Sequence, residues 1–468
     1  MTTTSTVAKG ASLKRNLGLW AIVGLGLGYM TPTVVFDTFG IVSQETNNVV
    51  PLAYFVALIV MMFTAISYGK ISAAIPSAGS AYTYVRESIH PNLGFMVGWT
   101  SLIDYVLLPM VNALIIRNYL EQLFPGIWPG IWVIIYCILV TSIIYLTMRG
   151  TSNMNMILLV FSIIVMAVFV VLVWFQLAGG DGEGTVASIK PFFHNGVEMG
   201  AVLAGATVVC FSFIGFDAVT MYAEEAKHPS IMPKAILYTV VLGGLIFLVA
   251  GYFTQLRFPD YHEFNDASLS DSALTQIGDV VGGKVFQAVL TAAGFCATLA
   301  SGLASHASVS RMLLVMGRNN VLPKKFFGYI NPKTHTPTLN ILLVGAICLL
   351  AMSFSLDLIA SFINYGALIA FTFVNISVIA WFAVRQGRNK SPKDIFNYIV
   401  MPAIGMLLTG LLWVNLSLDA LVGGVIWTVL GFVYLLFITK GFRKRVAGFD
   451  ENQSVTGFNK VPEGAEAD

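Results

Sequence analysis

The stretch YMTPTVVFDTFG, residues 29–40, places a carboxylate and a proline inside an apolar segment. Within residues 16–44 the only formal charge is that of Asp37. A charged side chain at the centre of a membrane helix costs about 2.5–3.5 kcal/mol on insertion scales. Pro32 also removes a backbone hydrogen bond where no water can replace it. The combination predicts a broken membrane helix whose polar groups line a cavity enclosed by protein.

Composition places the whole chain in a membrane. Hydrophobic residues make up 56% of the 468 and charged residues 11%, whereas soluble domains carry about 25% charged residues. Apolar runs of roughly 20 residues, long enough to span a bilayer, recur along the chain. We therefore predict an all-α membrane protein with 12 transmembrane helices, at about 17–43, 50–71, 93–119, 128–148, 156–178, 198–222, 233–256, 284–312, 338–355, 357–384, 397–417 and 420–440.

The basic residues predict the orientation of the chain. By the predicted topology, all but four of the 26 Lys and Arg lie on the side that holds both termini. The exceptions are Arg117, Lys190, Arg257 and Lys284. Because Lys and Arg concentrate in cytoplasmic loops, we predict a multi-pass protein with both termini in the cytoplasm. The four cysteines fall in apolar spans without metal-ligand spacing, so no disulfide, metal site or cofactor is predicted.

A second segment repeats the opening one. The predicted sixth span contains CFSFIGFDAVTMYAEE, residues 210–225, in which Phe-Asp recurs at Asp217 as it occurs at Asp37. Each pair lies close to a residue that weakens a helix, Pro32 in the first span and Gly215 in the sixth. Five spans separate the starts of the two units, so the second unit is inverted relative to the first. Interrupted segments at matching positions of inverted halves indicate the binding site of a secondary transporter.

Longer motifs carry a resemblance to a known family. FSFIGFDAVTMYAEEAKHPSIMPKAI (211–236), PSAGSAYTYV (76–85) and ASHASVSRMLLVMGRNNVLPKKFFGYINPKTHTP (304–337) resemble motifs of the amino acid–polyamine–organocation carrier superfamily. VFDTFGIVS (35–43), LIDYVLLPMVNALI (102–115), SGLASHASVSR (301–311) and INYGALIAFTFVN (363–375) are similar to bacterial putrescine importers of that superfamily.

The resemblance implies both an architecture and a function. It implies a leucine-transporter-type core of two inverted five-helix repeats with discontinuous helices 1 and 6, plus two accessory helices. The cytoplasmic N-terminal tail is then 1–16, the transport core 17–385, accessory helices 11 and 12 are 386–440, and the cytoplasmic C-terminal tail is 441–468. The resemblance further implies an importer of putrescine or a similar small polyamine, driven by the proton-motive force in the bacterial inner membrane. Its partners are the amine substrate, a coupling proton and membrane lipid, without nucleic acid.

The chemistry of the first break favours an amine substrate. Amino acid carriers of the superfamily typically have a Gly-x-Gly break whose N–H groups bind the substrate carboxylate. Here the corresponding region reads Thr31-Pro32-Thr33, and Pro32 has no N–H to offer. Asp37 nearby would repel a carboxylate and attract an ammonium group. Putrescine carries two ammonium groups about 6 Å apart, so its site needs an acceptor at each end and an apolar or aromatic middle.

Three carboxylates and a set of aromatic residues are the candidate ligands. Asp37 is predicted to bind an ammonium group, whereas Asp217 either binds one or caps the second half of the broken sixth helix. Asp104 shares a helical face with Ser101 and Asn112 and is predicted to face the cavity. A pair of these carboxylates could hold both ammonium groups, and one could titrate as the coupling site. The predicted substrate site comprises Tyr29, Thr33, Phe36, Asp37, Asp104, Tyr105, Phe213, Phe216, Asp217, Tyr222 and Asn364, the last as part of a gate.

Other functions compete with an amine importer. An amino acid permease of the same superfamily is the nearest alternative. A membrane enzyme would need clustered His and Asp ligands or an activated nucleophile, so no enzyme activity is predicted. A sensor would need an output domain, which the short loops cannot hold. The coupling ion is open from the residues alone, because Ser301, Ser305 and Ser308 could supply oxygen ligands to sodium.

Overall fold

The computed structural model describes residues 17–77, 79–146, 151–223, 226–260, 262, 273–331 and 336–443, without the side chains of residues 151–154 and 229. These residues form helices and their connections, and the β-type contact among them is a parallel bridge between Leu17 and Ala226. The prediction of an all-α chain is therefore confirmed. The predicted tail 1–16 and residues 444–468 of the second tail lie outside the described residues.

Helix bounds in the first part of the described chain follow the predicted apolar runs. They are α1 Leu19–Tyr29, α2 Val34–Asp37, α3 Phe39–Thr46, α4 Val50–Ala74, α5 Ser80–Ser88, α6 Pro91–Leu123, α7 Gly130–Leu146, α8 Thr151–Ala178, α9 Met199–Phe213 and α10 Met232–Arg257. Short 3₁₀ turns follow α9, at Ala218–Tyr222 and Pro229–Ile231.

The second part of the chain begins with a helix that contains a bend. The helices are α11 Ala273–Arg318, α12 Lys324–Phe327, α13 Thr338–Cys348, α14 Leu356–Val378, α15 Pro392–Ile395, α16 Met401–Val414 and α17 Leu418–Thr439. A 3₁₀ turn, Leu349–Ser353, extends α13, and π-helical turns at Ile379–Arg385 and Phe396–Val400 extend α14 and α15. The bend in α11 lies at Gly282 and Gly283, whose backbone angles are not helical.

The lengths and surfaces of the helices fit a membrane. Within the described residues, 10 helical segments are long and apolar enough to cross a bilayer. Two shorter apolar segments, Gly130–Leu146 and Thr338–Ser353, coincide with the fourth and ninth predicted spans. Apolar side chains such as Val384 and Phe437 are 74% and 80% exposed on the outside of the bundle. Contact with lipid is more favourable than contact with water for such surfaces. The chain is a multi-pass membrane protein.

The broken first segment lies at the centre of the helix bundle. Its span, Leu19–Asp37, is 83% buried, whereas the last two spans, Pro392–Val414 and Leu418–Thr439, are 22% and 17% buried. α1 packs against α8, α10 and α11, while α9 packs against α3, α4 and α14. α6 runs for 33 residues and contacts α11, α14 and α17. The bundle therefore surrounds both interrupted segments with protein and leaves the last two spans at its edge.

A reciprocal pair of tryptophans joins α17 to α6. The indole N–H of Trp99 donates to the backbone carbonyl of Trp427 at 2.9 Å, and that of Trp427 donates to the carbonyl of Trp99 at 2.8 Å. The two rings stack with their centroids 4.9 Å apart. Gly431 permits this approach, because a Cβ there would lie 2.2 Å from the Trp99 ring. Both indoles thus bury their apolar faces and satisfy their single donor.

Candidate functional site

The first helix breaks at the Thr-Pro-Thr sequence. α1 ends at Tyr29, and Thr31 adopts a left-handed backbone conformation with φ of 51°. The chain then resumes a helical course in α2, which ends at Asp37. The N–H of Thr31 bonds to the carbonyl of Gly28 and that of Val34 bonds to the carbonyl of Thr31. The break is therefore a turn in which the N–H groups of Thr31 and Val34 are already bonded and Pro32 has none.

The second break follows α9 and touches the first. Ile214 is extended after the last residue of α9, and Gly215 has φ of 127°. A Cβ on Gly215 would lie 2.7 Å from the ring of Tyr29, so only glycine permits this contact. The carboxylate of Asp217 accepts the N–H of Gly215 at 3.2 Å. The two interrupted segments thus meet at Tyr29 and Gly215.

Two tyrosines of α6 each hold one carboxylate. The hydroxyl of Tyr105 donates to Asp217 Oδ2 at 2.5 Å, and the hydroxyl of Tyr119 donates to Asp37 Oδ1 at 2.6 Å. Asp217 thereby has a partner on both oxygens, counting the N–H of Gly215. Asp37 Oδ2 has no hydrogen-bond partner, although the side chain is buried. Asp217 is fixed on both sides, whereas Asp37 retains a free acceptor.

Asp104 is the third buried carboxylate. Its Oδ1 has no hydrogen-bond partner, and it lies close enough to Asp217 for the two carboxylates to interact electrostatically. None of the ion pairs in the described part of the chain involves Asp37, Asp104 or Asp217. Burying a carboxylate without a cation costs several kcal/mol. The site is therefore arranged to attract a cation.

A small cavity lies between the two breaks. Its volume is about 10 Å³, room for about one water molecule. A four-carbon diamine does not fit in this conformation, so binding requires the helices to move apart. The cavity is lined by Tyr29, Met30, Thr31, Val34, Leu108, Asn112, Ile115, Phe211, Ile214 and Ser301.

The three phenylalanines among the predicted ligands lie against other rings. Phe36 packs edge-on against Phe169 with centroids 4.7 Å apart. Phe213 lies 5.5 Å from Phe247, and Phe216 lies 5.1 Å from Phe371. These rings hold the broken segments against α8, α10 and α14, and none of the three lines the cavity. A substrate role for Phe36, Phe213 and Phe216 stays a prediction.

The remaining predicted residues contact the breaks from nearby positions. Thr33 lies in the first break, and its buried hydroxyl has no hydrogen-bond partner. Tyr222 ends the 3₁₀ turn after the second break. The amide of Asn364 on α14 donates to the backbone carbonyl of Thr207 on α9 at 3.0 Å. Asn364 thus contacts the helix that leads into the second break.

Several residues that line the cavity were not among the predicted substrate ligands. Asn112 bonds to Ser301 at 3.3 Å, and Ser301 donates to the carbonyl of Tyr29 at 2.9 Å. Asn112 stood in the polar stripe with Asp104, which was the available signal for it. The apolar lining residues carry no such signal, because their side chains resemble those of every other span. Within the described residues, His, Cys, Asp and Glu form no group of three that could hold a metal ion.

Comparison with known proteins identifies the family. The family model "Amino acid permease" matches residues 21–441. The chain belongs to the amino acid permease family. Over 440 residues, this permease is 45% identical to the low-affinity putrescine importer PlaP of Escherichia coli K12, covering 94% of the chain and 97% of that protein. A probable low-affinity putrescine importer PlaP of Klebsiella pneumoniae is 47% identical over 42% of the chain and 98% of its own length. The branched-chain amino acid permease BcaP of Bacillus subtilis is 23% identical over 92% of the chain and 94% of its own length.

Replacing Gly215 with alanine is expected to lower the melting temperature of the purified permease. An L side chain at φ of 127° stores strain of about 1–3 kcal/mol, and the new Cβ would collide with Tyr29. Thermal unfolding in detergent measures the effect. Gly410→Ala on α16 is the control, since a Cβ there meets nothing within 4 Å. Equal melting temperatures for the two variants would contradict the close contact between the breaks.

Proposed function

We propose that this permease imports putrescine or a similar small polyamine by secondary active transport with alternating access. Two buried carboxylate oxygens without partners, Asp37 Oδ2 and Asp104 Oδ1, carry the proposal. Identity of 45% with a protein named as a putrescine importer, over 94% of the chain, supports it. Together they favour a cationic substrate whose binding compensates buried negative charge.

The backbone of the first break also favours an amine over an amino acid. A substrate carboxylate would need free N–H groups at the break. Pro32 has none, and the N–H groups of Thr31 and Val34 already bond to carbonyl oxygens. A carboxylate there would also face Asp37. A zwitterionic amino acid therefore gains little and is repelled, whereas an alkylammonium group is attracted.

The three carboxylates have different proposed roles. Asp37 and Asp104 accept ammonium groups, because each keeps an oxygen free of protein partners. Asp217 fixes the second break through Gly215 and Tyr105. Tyr29 meets the substrate at the cavity, and cation–π contact suits its ring. The other predicted aromatic residues and Asn364 hold the segments that must move.

We further propose a leucine-transporter-type architecture, and membership of the amino acid permease family supports it. In this architecture the shorter apolar helices Gly130–Leu146 and Thr338–Ser353 are the fourth and ninth of 12 membrane helices, beside the 10 longer spans of the described residues. Residues 17–385 form the 5+5 inverted-repeat core, with discontinuous helices 1 and 6, and residues 386–440 form accessory helices 11 and 12. Low burial of the last two spans supports the accessory assignment. The excess of Lys and Arg on the side of the termini supports a cytoplasmic location for both ends.

Uptake into proteoliposomes tests the substrate. Radiolabelled putrescine should enter, and unlabelled putrescine should compete, because an ammonium group finds a carboxylate acceptor and no substrate carboxylate is repelled. Leucine and other neutral amino acids should not compete. Micromolar competition by a neutral amino acid, without any by putrescine, would instead identify an amino acid permease.

Proton coupling is the second expectation for transport. We propose that a membrane carboxylate carries the coupling proton, since such groups can exchange a proton for a substrate cation. Uptake should continue in sodium-free vesicles and should stop when a protonophore removes an imposed pH gradient. Uptake that needs sodium and ignores the protonophore would refute proton coupling while leaving the substrate assignment intact.

Neutralising Asp37 and Asp217 separately should produce different defects. Asp37→Asn removes a charge-assisted hydrogen bond worth about 1.5–3 kcal/mol, so putrescine affinity should fall roughly 10- to 150-fold. Asp217→Asn should lower the melting temperature or the transport rate more than the affinity, because it weakens the bonds that fix the second break. Binding and thermal unfolding of both purified variants make the test. Parental affinity in Asp37→Asn would refute the role of that carboxylate.

A further inference from the structure

The length of α6 between Tyr105 and Tyr119 sets the distance between the two carboxylates that these tyrosines bind. Tyr105 and Tyr119 lie on one face of this helix, and 14 residues correspond to about 21 Å along its axis. Tyrosines in a helix lean toward its N-terminus in both preferred rotamers, so even with a bend at Pro109 their hydroxyls stay much farther apart than the reach of a hydrogen-bonded diamine. Putrescine with a hydrogen bond at each end spans about 12 Å. One molecule therefore cannot bridge Asp37 and Asp217.

The carboxylate of Asp37 has its own set of oxygen neighbours. The hydroxyl of Tyr119 binds Asp37 Oδ1, and the hydroxyls of Thr33 and Thr298 lie beside that of Tyr119. Thr33, Asp37 and Thr298 each keep one oxygen without a hydrogen-bond partner, namely Oγ1, Oδ2 and Oγ1. Their side chains are 0%, 1% and 0% exposed. Two broken-helix residues and one residue of α11 thus present oxygen acceptors around Tyr119.

A primary ammonium group matches this set of acceptors. It carries one positive charge and three N–H donors, and the cluster offers one carboxylate oxygen and two hydroxyl oxygens. We propose that Asp37, Thr33 and Thr298 form an ammonium-binding station that holds one end of an amine, separate from Asp104 and Asp217. This inference rests on the proposed amine transport and adds Thr298 and Tyr119 to its machinery. An amine then occupies the two carboxylate regions in succession.

Calorimetric binding to the full-length permease tests the station. The probes are putrescine and 1-aminobutane, titrated in sodium-free buffer. Thr298→Val and Thr33→Val keep the shape of the side chain but remove one acceptor. Each should weaken both amines by at least roughly 10-fold and by the same factor, because a single ammonium group sits at the station. Thr254→Val on α10 is the matched control, since its hydroxyl bonds to the carbonyl of Ala250 in its own helix.

The remaining outcomes separate the station from the transport proposal. Parental amine binding by Thr298→Val and Thr33→Val, in a protein that transports putrescine, overturns the station alone. If the loss is confined to putrescine, or if 1-aminobutane does not bind a parent that binds putrescine, then a single ammonium group does not bind at the station separately from Asp104 and Asp217. Sodium binding that Thr298→Val abolishes, with amine binding unchanged, identifies a sodium site instead. If the parent binds neither amine, the proposed function fails. Melting temperatures equal to that of Thr254→Val exclude misfolding as the cause of a loss.

Discussion

A backbone that leaves its helix inside a membrane has to find hydrogen-bond partners within the protein. This constraint organises the centre of the permease, and α6 meets much of it. Tyr105 binds the carboxylate of the second break, and Tyr119 binds that of the first. Between them, Asn112 reaches Ser301, which donates to the carbonyl at the end of α1. One continuous helix therefore supports both interruptions at successive levels.

Burying polar atoms without hydrogen-bond partners near the breaks lowers the stability of the fold. Tyr29, Thr33, Asp37 and Asp104 all bury a side-chain oxygen that makes no hydrogen bond. Such groups are rare in native interiors, and they concentrate where a protein exchanges stability for binding. Asp217, by contrast, is bonded on both oxygens. The difference separates side chains that serve the backbone from side chains that are available to a cation.

The sequence made the breaks visible but not their neighbours. A carboxylate and a proline in an apolar run violate the rules for a membrane helix, and the recurrence of Phe-Asp marks the second break. Tyr119 and Thr298 break none of the rules for a membrane helix, because tyrosine and threonine are ordinary residues of a helical bundle. Their importance depends on how far α6 and α11 are shifted along α1, which local sequence does not encode. For the same reason the sequence does not show that Phe213 packs against Phe247 and Phe216 against Phe371.

The reciprocal bonds between Trp99 and Trp427 have a mechanical consequence. Each indole is held by the backbone of the other helix, so sliding or rotating α17 against α6 would break two hydrogen bonds and a ring stack at once. The two helices must therefore travel together as one rigid body. α17 is also among the helices most exposed to lipid. A helix on the outside of the bundle is thus bonded directly to the helix that spaces the two carboxylates.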